Sequence, residues 1–187
     1  MNIIIAGCGK VGRALAEQLS REKHDITVID RKPEAIQQIT NIADVRGVVG
    51  NGASFEIQMD AGIDTADLMI AVTDADEVNL LCCLIAKKAG GCQTIARVRN
   101  PVYHHEIHHI KDELGLSMVI NPEWAAAMEM ARLLRFPSAI DIDTFANGRI
   151  ELLRFQLEEQ NPLCNNKIKD LHMLSRCEVL ICIVERG

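Results

Sequence analysis

The sequence has little of what marks membrane-spanning, secreted or nucleic-acid-binding proteins. Aromatic residues make up only 3% of its 187 residues, so its core must be aliphatic and filled with methionine. No apolar run is long enough to cross a bilayer. The formal net charge of −6 argues against a nucleic-acid partner, which normally requires a basic face. No basic and apolar leader precedes the first strand, and these absences together predict a cytoplasmic protein.

The cysteines also lack the pattern of a disulfide framework. There are seven of them, and no Cys-x-x-Cys spacing occurs, which favours reduced and mostly buried thiols. Cys8 stands apart because it lies in a glycine loop at a helix start, where the helix dipole can lower a thiol pKa. Cys8 is therefore either a redox sensor or a small residue tolerated in the loop, and the second interpretation is favoured.

The first thirty residues carry the most informative pattern of the chain. A buried strand is predicted at 2–6, a helix at 13–21, and a second apolar run at 26–29 that ends at Asp30. The loop between strand and helix consists of Gly7, Cys8, Gly9, Lys10, Val11 and Gly12. Strand, three glycines, helix, strand and acid in this order predict a dinucleotide site.

Each glycine of the loop has a physical role in that prediction. Gly7 permits the tight turn out of the strand, Gly9 lets a pyrophosphate approach the backbone, and Gly12 lets the helix pack closely on the sheet. The free N–H groups and the dipole at the helix start then hold the phosphate charge. The alternative is a tight turn that binds no ligand, but it does not account for Asp30.

Asp30 sets the expected cofactor preference. Its carboxylate can accept hydrogen bonds from ribose hydroxyls and repels a 2′-phosphate, so the site should prefer NAD or an adenosine nucleotide to NADP. Arg31 and Lys32 follow directly and offset part of that repulsion.

The remaining pattern predicts an α/β fold, a Rossmann-like doubly wound parallel sheet of strand order 3-2-1-4-5-6. Continuous apolar strands are predicted at 45–49, 68–72, 94–98 and 118–120, with helices at 55–61, 77–89 and 103–114. We expect a nucleotide-binding domain over 1–121 with its ligand crevice at the carboxyl ends of the first and fourth strands.

A different organisation is predicted beyond this domain. A helix over 123–135 has one apolar face and is either a crossover or dimer contact within 122–136, or part of the core. A partial α+β domain is expected over 137–187, with strands at 139–145 and 150–157 around the turn 146–148, a helix at 168–174 and a strand at 178–184. About fifty residues make a thin core, so this domain is expected to be truncated or completed by a partner chain.

Residues at or shortly after the carboxyl ends of the strands form the candidate site together with the glycine loop. They are Asn51, Gly52, Thr73, Asp74, Asn79, Arg97 and Arg99. Flexible backbone at Gly52 can pass close to an adenine, and an arginine at the end of the fifth strand can pair with a terminal phosphate. Surface salt bridging remains the alternative for both arginines.

Two further clusters allow two interpretations each. Four of the six histidines lie between 104 and 109, where their i, i+4 spacing can chelate zinc or nickel, but an exposed polar helix face is favoured. Asp74, Asp76 and Glu77 can hold a divalent cation, but an N-terminal helix cap provided by Asp76 is favoured.

Five runs of the sequence carry a family resemblance. They are Ile-Ile-Ala-Gly-Cys-Gly-Lys-Val-Gly, Val-Ile-Asp, Gly-Asn-Gly, Ala-Val-Thr-Asp-Ala-Asp-Glu-Val-Asn and Ala-Arg-Val-Arg-Asn-Pro. In this order they resemble the RCK/KTN nucleotide-binding domain of regulatory subunits in Trk-type bacterial potassium uptake systems. The resemblance covers nearly the whole chain, and residues 137–187 resemble the start of the family's C-terminal ligand-binding domain, so we expect an N-terminal fragment.

The resemblance implies a function and a role for each site residue. It implies that the chain binds NAD(H) and adenine nucleotides (ATP, ADP or AMP), forms a homo-oligomer built from dimers as a tetramer or octameric ring, and gates a membrane potassium transporter subunit from the inner face of the membrane. By the same resemblance, the phosphates lie on Gly7, Cys8, Gly9, Lys10 and Val11, the ribose on Asp30, the adenosine on Asn51, Thr73 and Asp74, and a phosphate on Arg97, with Arg99 a weaker candidate.

Two alternatives to a nucleotide-sensing regulator stay open from the sequence. A small NAD-dependent oxidoreductase would need a general acid or base near the nicotinamide, and no His, Lys or Tyr has a persuasive position at the strand ends. A plain assembly module would use its nucleotide only for stability.

Overall fold

In a computed structural model, the chain divides into two compact units, Met1–Ala127 and Met128–Gly187. The structure describes residues 1–146, 149–158, 160–169 and 180–185, without the side chains at positions 104, 105, 108 and 110. The division falls inside a helix, and the domain limits 1–121, 122–136 and 137–187 remain a prediction. No helix in these described ranges is long and apolar enough to cross a membrane.

The first unit contains a six-stranded sheet in which every neighbouring pair of strands is parallel. Its strands are β1 (Asn2–Ala6), β2 (Asp25–Asp30), β3 (Arg46–Val49), β4 (Leu68–Ala71), β5 (Gln93–Arg97) and β6 (Met118–Ile120). Their order is β3-β2-β1-β4-β5-β6, which confirms the doubly wound fold and the predicted strand order.

Helices connect the strands on both faces of this sheet. They are α1 (Lys10–Arg21), α2 (Pro33–Ile42), α3 (Phe55–Asp60), α4 (Asp76–Ala89) and α5 (Pro101–Ile110), and a further helix, α6 (Pro122–Arg135), follows β6. The alternation of side chains along β1 creates two cores. Ile3 and Ile5 pack with residues of α1 and α2, whereas Ile4 and Ala6 pack with residues of α4 and α5.

Three helices differ from the sequence pattern. No helix was predicted at α2, which begins at Pro33, a residue preorganised for the first helical turn, and which buries Ile36 and Ile39. α1 begins at Lys10 rather than at 13. α5 begins at Pro101, where Asn100 caps it by accepting a hydrogen bond from the Val102 amide, and it ends four residues before the predicted limit of 114.

The second unit contains a two-stranded antiparallel sheet, which confirms the predicted hairpin. Its strands are β7 (Ala139–Phe145) and β8 (Ile150–Phe155), and turn positions 147 and 148 lie outside the described residues. The predicted helix over 168–174 lies mostly outside them too. The predicted strand over 178–184 is wrong where it can be examined, because residues 180–185 form no strand and the described sheet pairs only β7 with β8.

Candidate functional site

The topology opens a crevice at the centre of the sheet. β1 continues to β2 on one side, whereas β4 lies on its other side and continues to β5. The loops after β1 and β4 therefore run in opposite directions, and ligands of doubly wound folds bind in the gap between them. The loop Gly7–Gly12 follows β1, and Thr73 follows β4 at this same edge.

The glycine loop is held tightly against the sheet. Gly7 has φ +103, and its amide donates to the Ile29 carbonyl at 2.8 Å. A Cβ on Gly7 would lie 2.8 Å from the Thr73 nitrogen, and one on Gly12 would lie 1.8 Å from the Gly7 carbonyl oxygen. Only glycine fits both positions, because the neighbouring atoms are backbone that cannot move aside.

Gly9 is different because its surroundings are open. A Cβ on Gly9 meets nothing within 4 Å, and Gly9 caps α1 without any side-chain hydrogen bond. The first turn of α1 contains no acidic residue, and Lys10 is exposed while Val11 is half-buried. The first amides of α1 thus face a site where an anion can be bound.

The Asp30 carboxylate joins the end of β2 to the glycine loop. Its Oδ2 accepts from the Cys8 amide at 2.7 Å, and its Oδ1 accepts from the Lys32 amide at 2.9 Å. Each carboxylate oxygen can accept a second hydrogen bond, so Asp30 orders the loop and retains capacity for a ribose hydroxyl. Arg31 beside it is exposed.

The Cys8 thiol has the environment of a core residue. Its side chain is buried and donates to the Ala35 carbonyl at 3.5 Å. Burial, together with the negative charge of Asp30, raises the pKa of the Cys8 thiol. A raised pKa disfavours the reactive thiolate, so the geometry supports the interpretation of Cys8 as a small loop residue rather than a redox sensor.

The loop after β3 is fixed by a side chain that the sequence pattern did not indicate. Gln58 of α3 is fully buried, and its Nε2 donates to the carbonyls of Gly52 at 2.7 Å and Cys82 at 3.0 Å. Asn51 Oδ1 accepts from the Ala53 amide at 3.2 Å. A polar residue on the buried side of a short helix is the only sequence signal that could have identified Gln58.

Asn79 ties the ends of β4 and β5 together. It is fully buried, and its Oδ1 accepts from both the amide and the hydroxyl of Thr73 at 2.7 Å. Its Nδ2 donates to the Arg97 carbonyl at 2.9 Å and to the Thr73 carbonyl at 3.3 Å. In this structure Asn79 therefore positions Thr73 and Arg97 at the ends of the two strands.

We expect Asn79→Ala to lower the free energy of unfolding by about 3 kcal/mol, because it leaves partly buried backbone groups of Thr73 and Arg97 without this partner. Urea denaturation followed by circular dichroism measures the change. The exposed Asn41 of α2 provides the matched control, since Asn41→Ala should stay within about 0.5 kcal/mol of the parent. Equal losses in both variants would contradict the role assigned to Asn79.

Arg97, the last residue of β5, and Arg99, two residues later, have different partners. Arg97 Nη2 donates to Glu123 Oε1 of α6 at 2.7 Å, and its Nε is buried without a hydrogen bond in the described part of the chain. The Arg99 guanidinium donates to the Asp74 carbonyl. Arg99 thus lies over the loop after β4, whereas Arg97 joins the edge of the sheet to the start of α6.

The prediction that Asp76 caps α4 is wrong. The N-cap residue is Ala75, and no side-chain cap bond forms. Asp76 instead reaches the next loop, where its Oδ2 accepts from the amides of Arg99 at 2.9 Å and Asn100 at 2.8 Å. Two amide donors and the nearby Arg99 guanidinium stabilise the Asp76 carboxylate more than a single cap hydrogen bond would. The expected acidic first turn, Asp76 and Glu77, is confirmed.

Metal binding gains no support from the described side chains. They include no group of three His, Cys, Asp or Glu residues placed to hold a metal ion. The His104–His109 hypothesis cannot be read from them, because the side chains at 104, 105 and 108 lie outside the description. It remains a prediction from spacing alone.

Comparison with known proteins identifies relatives of this chain and of its fold. The model of the TrkA-N domain family matches residues 3–122. A Trk system potassium uptake protein TrkA homolog of Archaeoglobus fulgidus is 38% identical over 173 residues, which cover 92% of this chain and 39% of that protein. The chain thus spans about two fifths of that relative's length.

Solved structures agree with the family match. The TrkA-N domain of the inner membrane protein YbaL from Escherichia coli superposes with a TM-score of 0.63 at 26% identity, over 71% of this chain and 96% of that one. A GsuK channel bound to NAD shares the fold, with a TM-score of 0.57 at 18% identity, over 78% of this chain and 25% of that one. The chain therefore belongs to the TrkA-N domain family.

Proposed function

We propose that the chain binds an adenine nucleotide, NAD(H) or ATP and ADP, in the crevice between β1 and β4 and serves as a non-catalytic regulatory module of a membrane potassium transporter. The observation that carries the proposal is the loop Gly7–Gly12, whose open Gly9 stands at the start of α1 while Asp30 holds the Cys8 amide at 2.7 Å. This arrangement offers amides to a pyrophosphate and a carboxylate to a ribose.

The way the polar side chains are used favours binding over catalysis. Asp30, Asp76 and Asn79 each hold backbone amides or carbonyls of the strand-end loops. Such contacts fix the shape of a site, whereas a general acid or base must reach the reacting atoms. We therefore propose that the bound nucleotide acts by changing conformation. Two different nucleotides would each favour a different state of the assembly.

The partners that we propose are a second copy of the chain and the membrane transporter, at the cytoplasmic face of the membrane. α6 supports a homo-oligomer because none of its residues is buried, and this includes large apolar side chains. Trp124 is 58% exposed and Leu134 is 79% exposed. Apolar side chains so exposed along one helix are typical of a surface that another chain covers. The relatives' name as potassium uptake proteins supports the transporter.

A thermal-shift panel with NAD, NADH, NADP, ATP and ADP tests the ligand. A nucleotide at about 100 times its Kd raises the free energy of unfolding by about 2.7 kcal/mol, so at least one of them should raise the melting temperature clearly. NADP should give a smaller shift than NAD, because Asp30 repels the 2′-phosphate. Equal melting temperatures with and without all five nucleotides would contradict the proposal.

The oxidoreductase alternative is tested with the same protein. We expect no oxidation of NADH, followed by its absorbance, when the chain is incubated with a panel of carbonyl substrates, because the side chains around the crevice hold backbone groups. Sustained turnover that disappears in the Gly9→Ala variant would replace the regulatory proposal with the oxidoreductase.

A further inference from the structure

One ion pair links the candidate nucleotide crevice to the helix that leaves the first unit. Arg97 lies at the end of β5, and Glu123 lies in the first turn of α6. Their Nη2 and Oε1 atoms are 2.7 Å apart. The two residues are 26 positions apart in sequence, so the pair fixes the start of α6 to the edge where the strands end.

The two partners of this pair are held very differently. The Arg97 side chain is 14% exposed, whereas the Glu123 side chain is 57% exposed. The Arg97 backbone is anchored by Asn79, which also holds Thr73 at the end of β4. Arg97 is therefore tied through Asn79 to the loop after β4, beside the crevice, whereas Glu123 is the partner that solvent can reach.

Glu123 uses only part of the hydrogen-bond donors of the Arg97 guanidinium. A guanidinium carries five N–H groups, and Glu123 takes a hydrogen bond from Nη2 alone. The Nε is buried and makes no hydrogen bond within the described ranges. A phosphate can accept two parallel hydrogen bonds from such a group and carries more charge than a carboxylate.

From this geometry we propose that Glu123 is an internal competitor for the nucleotide's terminal phosphate, so that a phosphate bound by Arg97 displaces Glu123 and releases the first turn of α6. The proposal rests on the proposed function and specifies its regulation. A nucleotide long enough to reach Arg97 loosens α6, whereas a shorter one leaves the pair intact. The difference between two adenine nucleotides thereby becomes a difference in the helix that continues into the second unit.

Local contacts also stabilise the charged Glu123 carboxylate at the start of α6. A hydrogen bond from its own backbone amide, and then the Arg97 guanidinium, hold the pKa of the Glu123 carboxyl below its ordinary value. An acidic residue in a first helical turn is also favoured by the helix dipole. A pair supported only by these local contacts is weak where one partner is exposed, which is what a displaceable competitor requires.

The chain contains its own reporter of this step. Trp124 is its single tryptophan and directly follows Glu123, with its amide bonded to Asn121 Oδ1 at 2.9 Å. Excitation of the indole at a wavelength that adenine does not absorb reports the first turn of α6. We expect ATP to shift the emission of the parent chain and AMP to leave it nearly unchanged.

The test combines this signal with affinities for ATP and AMP measured by calorimetry. Glu123→Gln removes the competing charge, so it should tighten ATP binding about fivefold or more, leave AMP binding unchanged and reduce the ATP-induced emission change. Introduced into an Arg97→Ala background, Glu123→Gln should have no effect on ATP binding, because the group it competes for is gone.

Glu129→Gln is the matched control, since Glu129 is also half-exposed on α6 and pairs with Arg132. It should leave both affinities unchanged. Normal nucleotide binding with the same ATP-to-AMP ratio in the parent, Glu123→Gln and Glu129→Gln would overturn the competition and leave the proposed function standing. Failure of the folded parent chain to bind either nucleotide would overturn the proposed function and, with it, this inference.

Discussion

Asp30→Ala is expected to weaken binding of NADH and ADP by about tenfold to a hundredfold. The substitution removes the proposed ribose acceptor and also frees the Cys8 amide, so the glycine loop loses its link to β2. Hydrogen bonds to a charged group contribute about 1.5–3 kcal/mol each, which corresponds to that range of affinity. Isothermal titration calorimetry at a temperature where the variant is fully folded measures the change.

A second aspartate separates this effect from the general loss of a negative charge. Asp60 at the end of α3 is exposed, and Asp60→Ala should bind both nucleotides as the parent does. If Asp30→Ala and Asp60→Ala bound NADH and ADP equally well, Asp30 would have no part in the site.

Two alanine substitutions in the glycine loop should have opposite consequences for folding and binding. Gly12→Ala places a Cβ 1.8 Å from the Gly7 carbonyl oxygen, so we expect it to lower the free energy of unfolding by about 3 kcal/mol or to prevent folding. Gly9→Ala meets nothing within 4 Å and should change stability by less than about 0.5 kcal/mol. Its methyl group nevertheless lies where the phosphate is proposed to bind, and nucleotide affinity should fall at least tenfold.

Denaturation and calorimetry on the two variants make this comparison. Gly9→Ala is its own control for folding, because its denaturation midpoint should match that of the parent. A Gly9→Ala protein that is stable and binds nucleotide as tightly as the parent would place the phosphate elsewhere. A fully stable Gly12→Ala protein would show that α1 does not pack as closely on the sheet as the structure describes.

The parts of the molecule that could be predicted from sequence depend on short local patterns. The glycine loop and Asp30 follow from spacing within the first thirty residues, and each of the six strands follows from its own short apolar run. The strand order follows from the rules of doubly wound sheets. The hairpin β7–β8 was equally accessible, because alternating residues flank a turn signal. Asn79 was singled out from its place one turn into α4, and the structure specifies what it holds.

The parts that were missed depend on contacts between distant positions. Nothing near Asp76 in the sequence indicates that it bonds two amides in the loop after β5, and nothing near Gln58 indicates that it holds the loop after β3. The partner of Arg97 lies 26 residues away. Residues 180–185 show the converse case, in which an apolar run predicts a strand but these residues pair with neither strand of the described sheet.

The central claim is that an adenine nucleotide binds at the carboxyl ends of β1 and β4, and amide chemical shifts of the ¹⁵N-labelled chain during an ADP titration test it most directly. We predict that the largest changes fall on the amides of Gly9, Lys10 and Val11, with smaller ones at Asp30 and Thr73. Changes confined to other parts of the first unit, or none at saturating ADP, would contradict the claim.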